Sequence, residues 1–309
     1  MGRYVARRLL QMIPVFLGTT MFIYYMVYKL PGDPISALYG DKAADKVFVH
    51  AKRQELGLDD PFLVQYWHYL KAIVLHWDFG VTFSGRPVWE EMKQAFPVSL
   101  RLATVAVAFE IVVGISLGLL SGLRRGKFAD RIVLIITLLI ISIPIFVLGQ
   151  IVQWTVAIQW DLTKPTVDDE ASWGSLLMPG FVLGAIAVAF LARVTRTSIV
   201  ENMRADYMRT ATAKGLPRHR VVTVHLLRNS LIPIVTLVGT DLGTLMGGAI
   251  VTEGIFNVHG VGYAVFRAVQ LNEGPTVVGF VTVLVLIFLA CSLIVDLLYA
   301  VLDPRIRYV

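Results

Sequence analysis

Residues 201–233 read ENMRADYMRTATAKGLPRHRVVTVHLLRNSLIP, a long, strongly basic and helix-compatible segment in a chain that is otherwise mostly apolar. Between Arg193 and Arg228 stand eight Lys or Arg residues, with apolar runs on both sides. Cationic loops of membrane proteins stay on the cytoplasmic side, so this loop orients everything that flanks it. Ile199, Met203, Tyr207 and Ala211 recur every fourth residue, which predicts one apolar face on a short helix. Gly215 fits the left-handed position just past a helix end, and Pro217 fits the first turn of a second helix. The expectation is helix, tight break, helix, presenting Arg209, Lys214, Arg218, Arg220 and Arg228 as a rigid lever joined to two spans.

Composition agrees with a membrane setting. Apolar residues make up 56% of the 309 and charged residues 16%, against about a quarter charged in soluble domains. A net charge of +6 would suggest nucleic acid in a soluble chain. Here the cations cluster beside apolar runs, and the preference of Lys and Arg for the cytoplasmic side accounts for them without a nucleic-acid partner. The single cysteine, Cys291, lies in an apolar run, which excludes a disulfide framework or a cysteine-built metal site. The N-terminus carries Arg3, Arg7 and Arg8 before a run too long for a signal-peptide core, so an uncleaved first span is expected.

A hydrocarbon core needs about 20 apolar residues in a helix. Segments at 9–30, 100–122, 132–158, 176–195, 231–252 and 276–302 qualify, predicting an all-α, polytopic protein with six transmembrane helices. The gaps carry three Lys/Arg at the N-terminus, four from Arg124 to Arg131, eight in the basic loop, and Arg305 and Arg307 at the end. The opposite gaps hold only Lys164 and Arg267, so both termini are expected in the cytoplasm. Residues 31–98 carry seven Lys/Arg but also nine Asp/Glu. Long segments cross membranes largely regardless of charge. With the amphipathic LGLDDPFLVQYWHYLKAIVLHWDFG inside it, this stretch is expected to form a small external domain bounded by Pro31-Gly32-Asp33-Pro34 and Pro97. The division is therefore 1–30 (cytoplasmic N-terminus and first span), 31–98 (external domain) and 99–309 (five-span core with the loop 193–230).

Catalytic signatures are missing. The chain has no GxxxxGK[ST] phosphate loop and no HExxH, and no Ser sits in a GxSxG elbow: Gly114-Ile115-Ser116-Leu117-Gly118 matches the letters but lies inside an apolar run. Asp78-Phe79-Gly80 spells a kinase triplet without the HRD loop or Gly-rich strand that would give it meaning. His219 and His225 read as solvated or capping side chains, and Tyr24, Tyr25, Trp154 and Trp160 as interfacial belts. Three acids fall within apolar segments, Glu110, Asp241 and Asp296. An ionised group at mid-bilayer costs at least about 2.5–3.5 kcal/mol, which makes each a candidate for function. Asp296 is placed to pair with a terminal Arg; Asp241 sits on a Gly- and Thr-rich helix suited to close packing beside a polar cavity; Glu110 either serves a function or faces a neighbouring helix. No second acid or histidine accompanies any of them in sequence, as a proton relay requires. Gly243, Gly247 and Gly248 fit a dimerisation face or ordinary tight packing equally well.

Nine segments in order carry a family resemblance: MGRYVARRLLQMIPVFLG, LPGDP, LGLDDP, SGRPV, RRGKFADR, RTATAKGL, HLLRNSLIP, TEGIFNVHGVG and DLLYAVLDPRIR. Over essentially its whole length the chain resembles the inner-membrane permease subunit of binding-protein-dependent ABC importers of the oligopeptide/dipeptide/nickel group, in its first (B-type) form. The resemblance implies a type I importer permease fold in a bacterial or archaeal cytoplasmic membrane. It also implies that the basic loop is the family's cytoplasmic coupling loop, with Tyr207, Arg209, Thr210, Ala211, Lys214, Gly215, Leu216 and Pro217 in the groove of an ATPase. Arg209-Thr210-Ala211 replaces the Glu-Ala-Ala after which that loop is named, and the terminal Leu-Pro appears as Ile232-Pro233. Implied partners are a second homologous permease, two cytoplasmic ATPase subunits, an extracytoplasmic substrate-binding protein and membrane lipid. The implied cofactor pattern is none on this chain, with ATP and Mg held by the ATPases. Peptides are the expected cargo, and Gln150, Gln153, Thr240 and Asp241 are expected to line the path. The rival reading is a secondary transporter driven by an ion gradient, which would favour inverted repeats and broken mid-membrane helices; Pro144 and Pro179-Gly180 are candidate breaks. An intramembrane enzyme lacks any paired nucleophile and base. A sensor that recruits a signalling protein would require transport to be absent.

Overall fold

The computed structural model describes residues 2–29, 59–82 and 85–302. Pro31 to Pro34 and the C-terminal Arg305 and Arg307 lie outside the described residues. Those residues are helical apart from short connections, and a single antiparallel bridge between Val81 and Pro87 is the one β contact among them. The helices divide into two compact units, residues 1–99 with 259–309 and residues 100–258.

Unit one contains α1 (Gly2–Lys29), α2 (Phe62–His76) and the start of α3 (Val88–Phe109), then α12 (Val261–Gln270) and α13 (Gly274–Leu302). Helices α1 and α13 pack along each other. Arg8 of α1 makes an ion pair with Asp296 of α13, so the terminal Arg expected beside Asp296 comes from the first helix. Tyr24 is buried among Tyr28, Phe62, Tyr66 and Tyr69 rather than standing in an interfacial belt, because α2 covers it; Tyr25, Trp154 and Trp160 remain exposed. The Asp78-Phe79-Gly80 triplet is a turn. The Gly80 N–H donates to the Asp78 carboxylate at 2.8 Å, and Phe79 is buried. Pro97, expected as a boundary, lies inside α3, a placement that membrane helices tolerate because neighbouring groups re-satisfy the freed carbonyl.

Unit two holds the end of α3, a buried π-helical turn at Glu110–Gly114, and α4 (Ile115–Leu123). It continues with α5 (Phe128–Ser142), α6 (Ile145–Val152) extended by a π-helical stretch Gln153–Gln159, and α7 (Leu177–Asn202). The basic loop follows, and α11 (Ile232–Phe256) closes the unit. Helix α7 touches α4, α5, α6 and α11, and it is the most buried of the long apolar helices.

Small residues bring the helices of this unit close. Gly114, Gly118 and Gly122 form one face of α4 and the turn before it, against Leu191, Thr195 and Ile199 of α7. A Cβ on Gly114 would stand 2.9 Å from Leu191 Cδ2, and one on Gly122 2.6 Å from Ile199 Cγ2. Gly180 and Gly184 of α7 return the pattern against Val105 and Ala106 of α3. In lipid no hydrophobic drive holds helices together, so such contact area stands in for it.

Among the described residues, four helices are long and apolar enough to cross a membrane: Val5–Tyr28, Val88–Leu123, Leu177–Asn202 and Gly274–Ile294. Three bent pairs raise the number to as many as seven. The expected continuous span 132–158 is one of these pairs, bent by 108° between Ser142 and Ile145. Ile143 is extended at φ −92° and ψ 124°, as a residue before proline prefers, and Pro144 offers no N–H to continue the helix.

A Gly118→Val variant is expected to lose about 1–3 kcal/mol through overpacking against Thr195. The loss reads as a lower melting temperature of the purified protein. Gly174→Ala, where the added Cβ meets nothing, serves as the control; equal melting temperatures for both variants would contradict the close crossing.

Candidate functional site

The basic loop begins where α7 ends. The Arg204 and Ala205 N–H groups turn back onto Glu201 and Asn202 at 3.1 Å each, and α8 (Asp206–Ala213) starts afresh. The predicted face of Ile199, Met203, Tyr207 and Ala211 therefore spans two helices, and Met203 is exposed in the turn between them. The inward face of α8 is Met208 and Ala211. With Ile199, Val221 and Leu226 they form a buried apolar cluster, flanked by Leu119, Leu123, Tyr207, Leu216 and Leu227. The loop is thus a small core built onto the ends of α4 and α7.

Its chain reversal follows the expected chemistry. Gly215 has φ +72°, a left-handed conformation that glycine adopts without a Cβ penalty. The Leu216 N–H reaches the Ala211 carbonyl at 3.4 Å and the Gly215 N–H the Thr212 carbonyl at 3.0 Å. That pair of bonds, with Leu216 packing on the cluster beneath, is a Schellman ending. Pro217 lies one residue earlier than predicted, as the N-cap of α9 (Arg218–Arg220), with φ −66° and ψ 144°. Its carbonyl accepts the N–H groups of Arg220 and Val221, a role that needs no N–H of its own. A π-helical stretch Val221–Leu227 and α10 (Arg228–Ser230) lead to α11.

The outward face is cationic. Arg209 is largely exposed with a long contact of 3.8 Å to Asp206, and Thr210, Lys214, Arg218 and Arg220 are exposed beside it. Tyr207 points inward, its hydroxyl donating to Asn202 Oδ1 at 2.6 Å, and Asn202 in turn donates to the Ser198 carbonyl at 2.9 Å. This chain of bonds fastens α8 to the last turn of α7. Between α8 and the following turn an open cleft of about 600 Å³ is lined by Met203, Met208, Val222 and Leu226, with Arg209 and Arg218 at its walls.

One of the eight cations counted between Arg193 and Arg228 belongs elsewhere. Arg196 forms a bidentate pair with the buried Asp130, Nε at 2.6 Å and Nη2 at 2.9 Å. Asp130 also accepts from the Ser121 hydroxyl and from the Gly126 N–H, the latter at 2.7 Å. One carboxylate thus binds the end of α4, the turn after it, the first turn of α5 and the last turns of α7. Charge-assisted two-pronged pairs fix geometry as well as adding energy.

The intramembrane acids are arranged differently from the expectation that each stands without another acid. Glu110, fully buried at the start of its π-helical turn, faces the Asp241 carboxyl of α11. The two groups interact electrostatically, although neither Glu110 oxygen reaches hydrogen-bonding geometry. Their meeting is a tertiary contact that no spacing in the sequence encodes. Of the expected path residues, Gln150 is exposed on α6, and Gln153 donates to the Pro165 carbonyl at 2.7 Å and the Ile255 carbonyl at 3.4 Å. Gln153 therefore ties the loop after α6 to α11. Thr240, Gly243, Gly247 and Gly248 lie on α11, and only their helical backbone is described.

A helical chain with a compact basic loop between two long apolar helices suits a transport permease, and the family comparison shows that class. The family described as binding-protein-dependent transport system inner membrane component matches residues 114–308, and its N-terminal counterpart matches residues 1–103. The chain belongs to this family. It is 36% identical to the dipeptide transport system permease protein DppB of Escherichia coli (strain K12), covering 100% of this chain and 99% of that protein. It is 38% identical to the glutathione transport system permease protein GsiC of Salmonella typhi, with both chains covered in full (100% of each). Membership decides against the ion-gradient reading, which the meeting of Glu110 and Asp241 would by itself have favoured.

Because Arg196 is partly exposed, Asp130→Asn is expected to cost about 1.5–3 kcal/mol, the range for hydrogen bonds to a charged group, rather than the larger cost of splitting a fully buried pair. Combining it with Arg196→Gln should cost less than the sum of the single losses in a double-mutant cycle of thermal unfolding. Strict additivity would show that the pair does not act as a unit.

Proposed function

We propose that this chain is the B-type permease subunit of an ATP-driven, binding-protein-dependent importer of peptides. It forms half of the translocation path beside a second, homologous permease and carries one coupling surface for a pair of cytoplasmic ATPases. The observation that carries this reading is the basic loop: a preformed core, closed at Gly215, that presents Arg209, Thr210, Lys214, Arg218 and Arg220 outward while α7 and α11 leave it on either side. A rigid-body push on such a surface moves the helices fastened to it, the kind of transition by which ATP-driven closure reorients a pathway. The substrate class is supported by the names of the relatives, one a dipeptide and the other a glutathione permease.

In this reading the chain crosses the membrane six times with both termini in the cytoplasm. Catalysis, ATP and Mg belong to the ATPases, and this subunit needs no cofactor. An extracytoplasmic binding protein delivers the peptide to the side where residues 31–98 lie. Asp241, facing Glu110, and Gln150 are the polar groups proposed to meet cargo along the path.

A Cβ built on Gly215 meets no atom within 4 Å, so the first effect of a substitution is on backbone conformation. Gly215→Val is expected to strain the reversal by about 1–2 kcal/mol. Peptide uptake in proteoliposomes should then fall severalfold while the ATPases continue to hydrolyse ATP and to co-purify. Gly215→Asn, which tolerates the left-handed conformation, should retain most uptake. Normal uptake by the valine variant would overturn the lever mechanism.

A further inference from the structure

Helix α2 belongs to the stretch read from sequence as an external domain, yet its contacts lie alongside the membrane-spanning part of α1. The Tyr66 hydroxyl is 2.8 Å from Thr20 Oγ1 and donates to the Leu17 carbonyl at 2.9 Å. Phe62, Tyr66 and Tyr69 all surround Tyr24. The apolar span of α1 runs to Tyr28. At a rise of 1.5 Å per residue, Tyr24 lies about 6 Å and Leu17 about 16 Å inside that end. On its other side the Tyr69 hydroxyl donates to Thr282 Oγ1 at 2.7 Å, eight residues into α13, itself a candidate span. A helix so attached lies beside the spans, within the leaflet at the C-terminal end of α1, rather than beyond the membrane.

The face of α2 turned away from α1 and α13 has the matching chemistry. Leu63, Val64, Trp67, Val74 and Leu75 fall on one arc of the helix, with Leu63 66%, Trp67 64% and Val74 74% exposed. Lys71 falls within that arc, between Trp67 and Val64, and His68 at its edge, both exposed. The exposed Tyr25 of α1 touches Phe62 of α2, its ring centroid 5.5 Å away, and Phe22 and Met26 of α1 are also exposed. Amphipathic interfacial helices lie in the membrane plane with the apolar face about 5–10 Å into the headgroup and acyl boundary, and a lysine on such a helix snorkels to the phosphates. Leaving this face to water would expose a contiguous apolar patch, which soluble surfaces avoid.

We propose that α2 is an interfacial helix whose Leu63, Trp67 and Val74 face lies in the phospholipid of the leaflet at the C-terminal end of α1, with Lys71 reaching the headgroups. The partner of this surface is lipid. Docking of a binding protein would then fall to other parts of residues 31–98.

The test uses the complete transporter in liposomes. Brominated phospholipids should quench tryptophan fluorescence, and Trp67→Phe should remove a measurable share of that quenching. Nitroxides at Leu63→Cys and Val74→Cys, in a Cys291→Ser background, should collide more often with oxygen than with a water-soluble nickel chelate, and binding protein should not change this. Faster collision with the nickel chelate, or exclusion of both reagents by binding protein or by the partner permease, would overturn the proposal. So would quenching that is unchanged by Trp67→Phe.

Discussion

The contact between the glycine face of α4 and α7 is the constraint from which the rest of unit two follows. Gly122 has no side chain because Ile199 occupies the space that one would need. Ile199 is also the fixed point of the apolar cluster on which Met208 and Ala211 of α8 rest. One residue therefore connects the membrane packing to the position of the basic loop. If α4 and α7 stood a side chain's width further apart, the floor under α8 would open.

The Asp130–Arg196 pair completes that connection at the same level of the helices. It sits within the last turns of α7, just before the chain leaves for the loop, and it draws in Ser121 and Gly126 from the α4–α5 connection. That carboxylate, with four donors, joins α4, α5 and α7 at once. The Tyr207–Asn202–Ser198 bonds add a second attachment from α8 to α7. Protein interiors are close-packed and shift between discrete arrangements rather than stretching, so a surface fastened in this way moves as one piece.

The parts legible in sequence were those encoded by local chemistry. Apolar runs marked the long helices, and Gly215 announced a left-handed helix end before any contact was known. Periodicity failed where a backbone turn interrupts it: the fourfold spacing from Ile199 to Ala211 continues through residues 203–205, although the helix does not. It failed again at Ile143-Pro144, where an unbroken apolar run conceals a bend of 108°. Pairings between distant residues left no local signal. Asp130 stands among the four cations from Arg124 to Arg131 and Arg196 among the eight from Arg193 to Arg228 with nothing to pair them, and Glu110 has no second acid beside it in sequence. The glycine stripe of α4 is visible in sequence as Gly114, Gly118 and Gly122 at intervals of four, a small-xxx-small pattern that signals close packing. The π-helical turns carry no sequence mark that distinguishes them from the helices they interrupt.

The most direct measurement is co-purification of the solubilised chain, expressed with the neighbouring genes of its own genome, with and without scrambling of Arg209 to Pro217. The account predicts recovery of two ATPase subunits and a second permease with the intact chain, and selective loss of the ATPases from the scrambled one. ATPases retained after scrambling, or a homo-oligomer that brings down no ATPase at all, would contradict the assignment of the loop as the coupling surface.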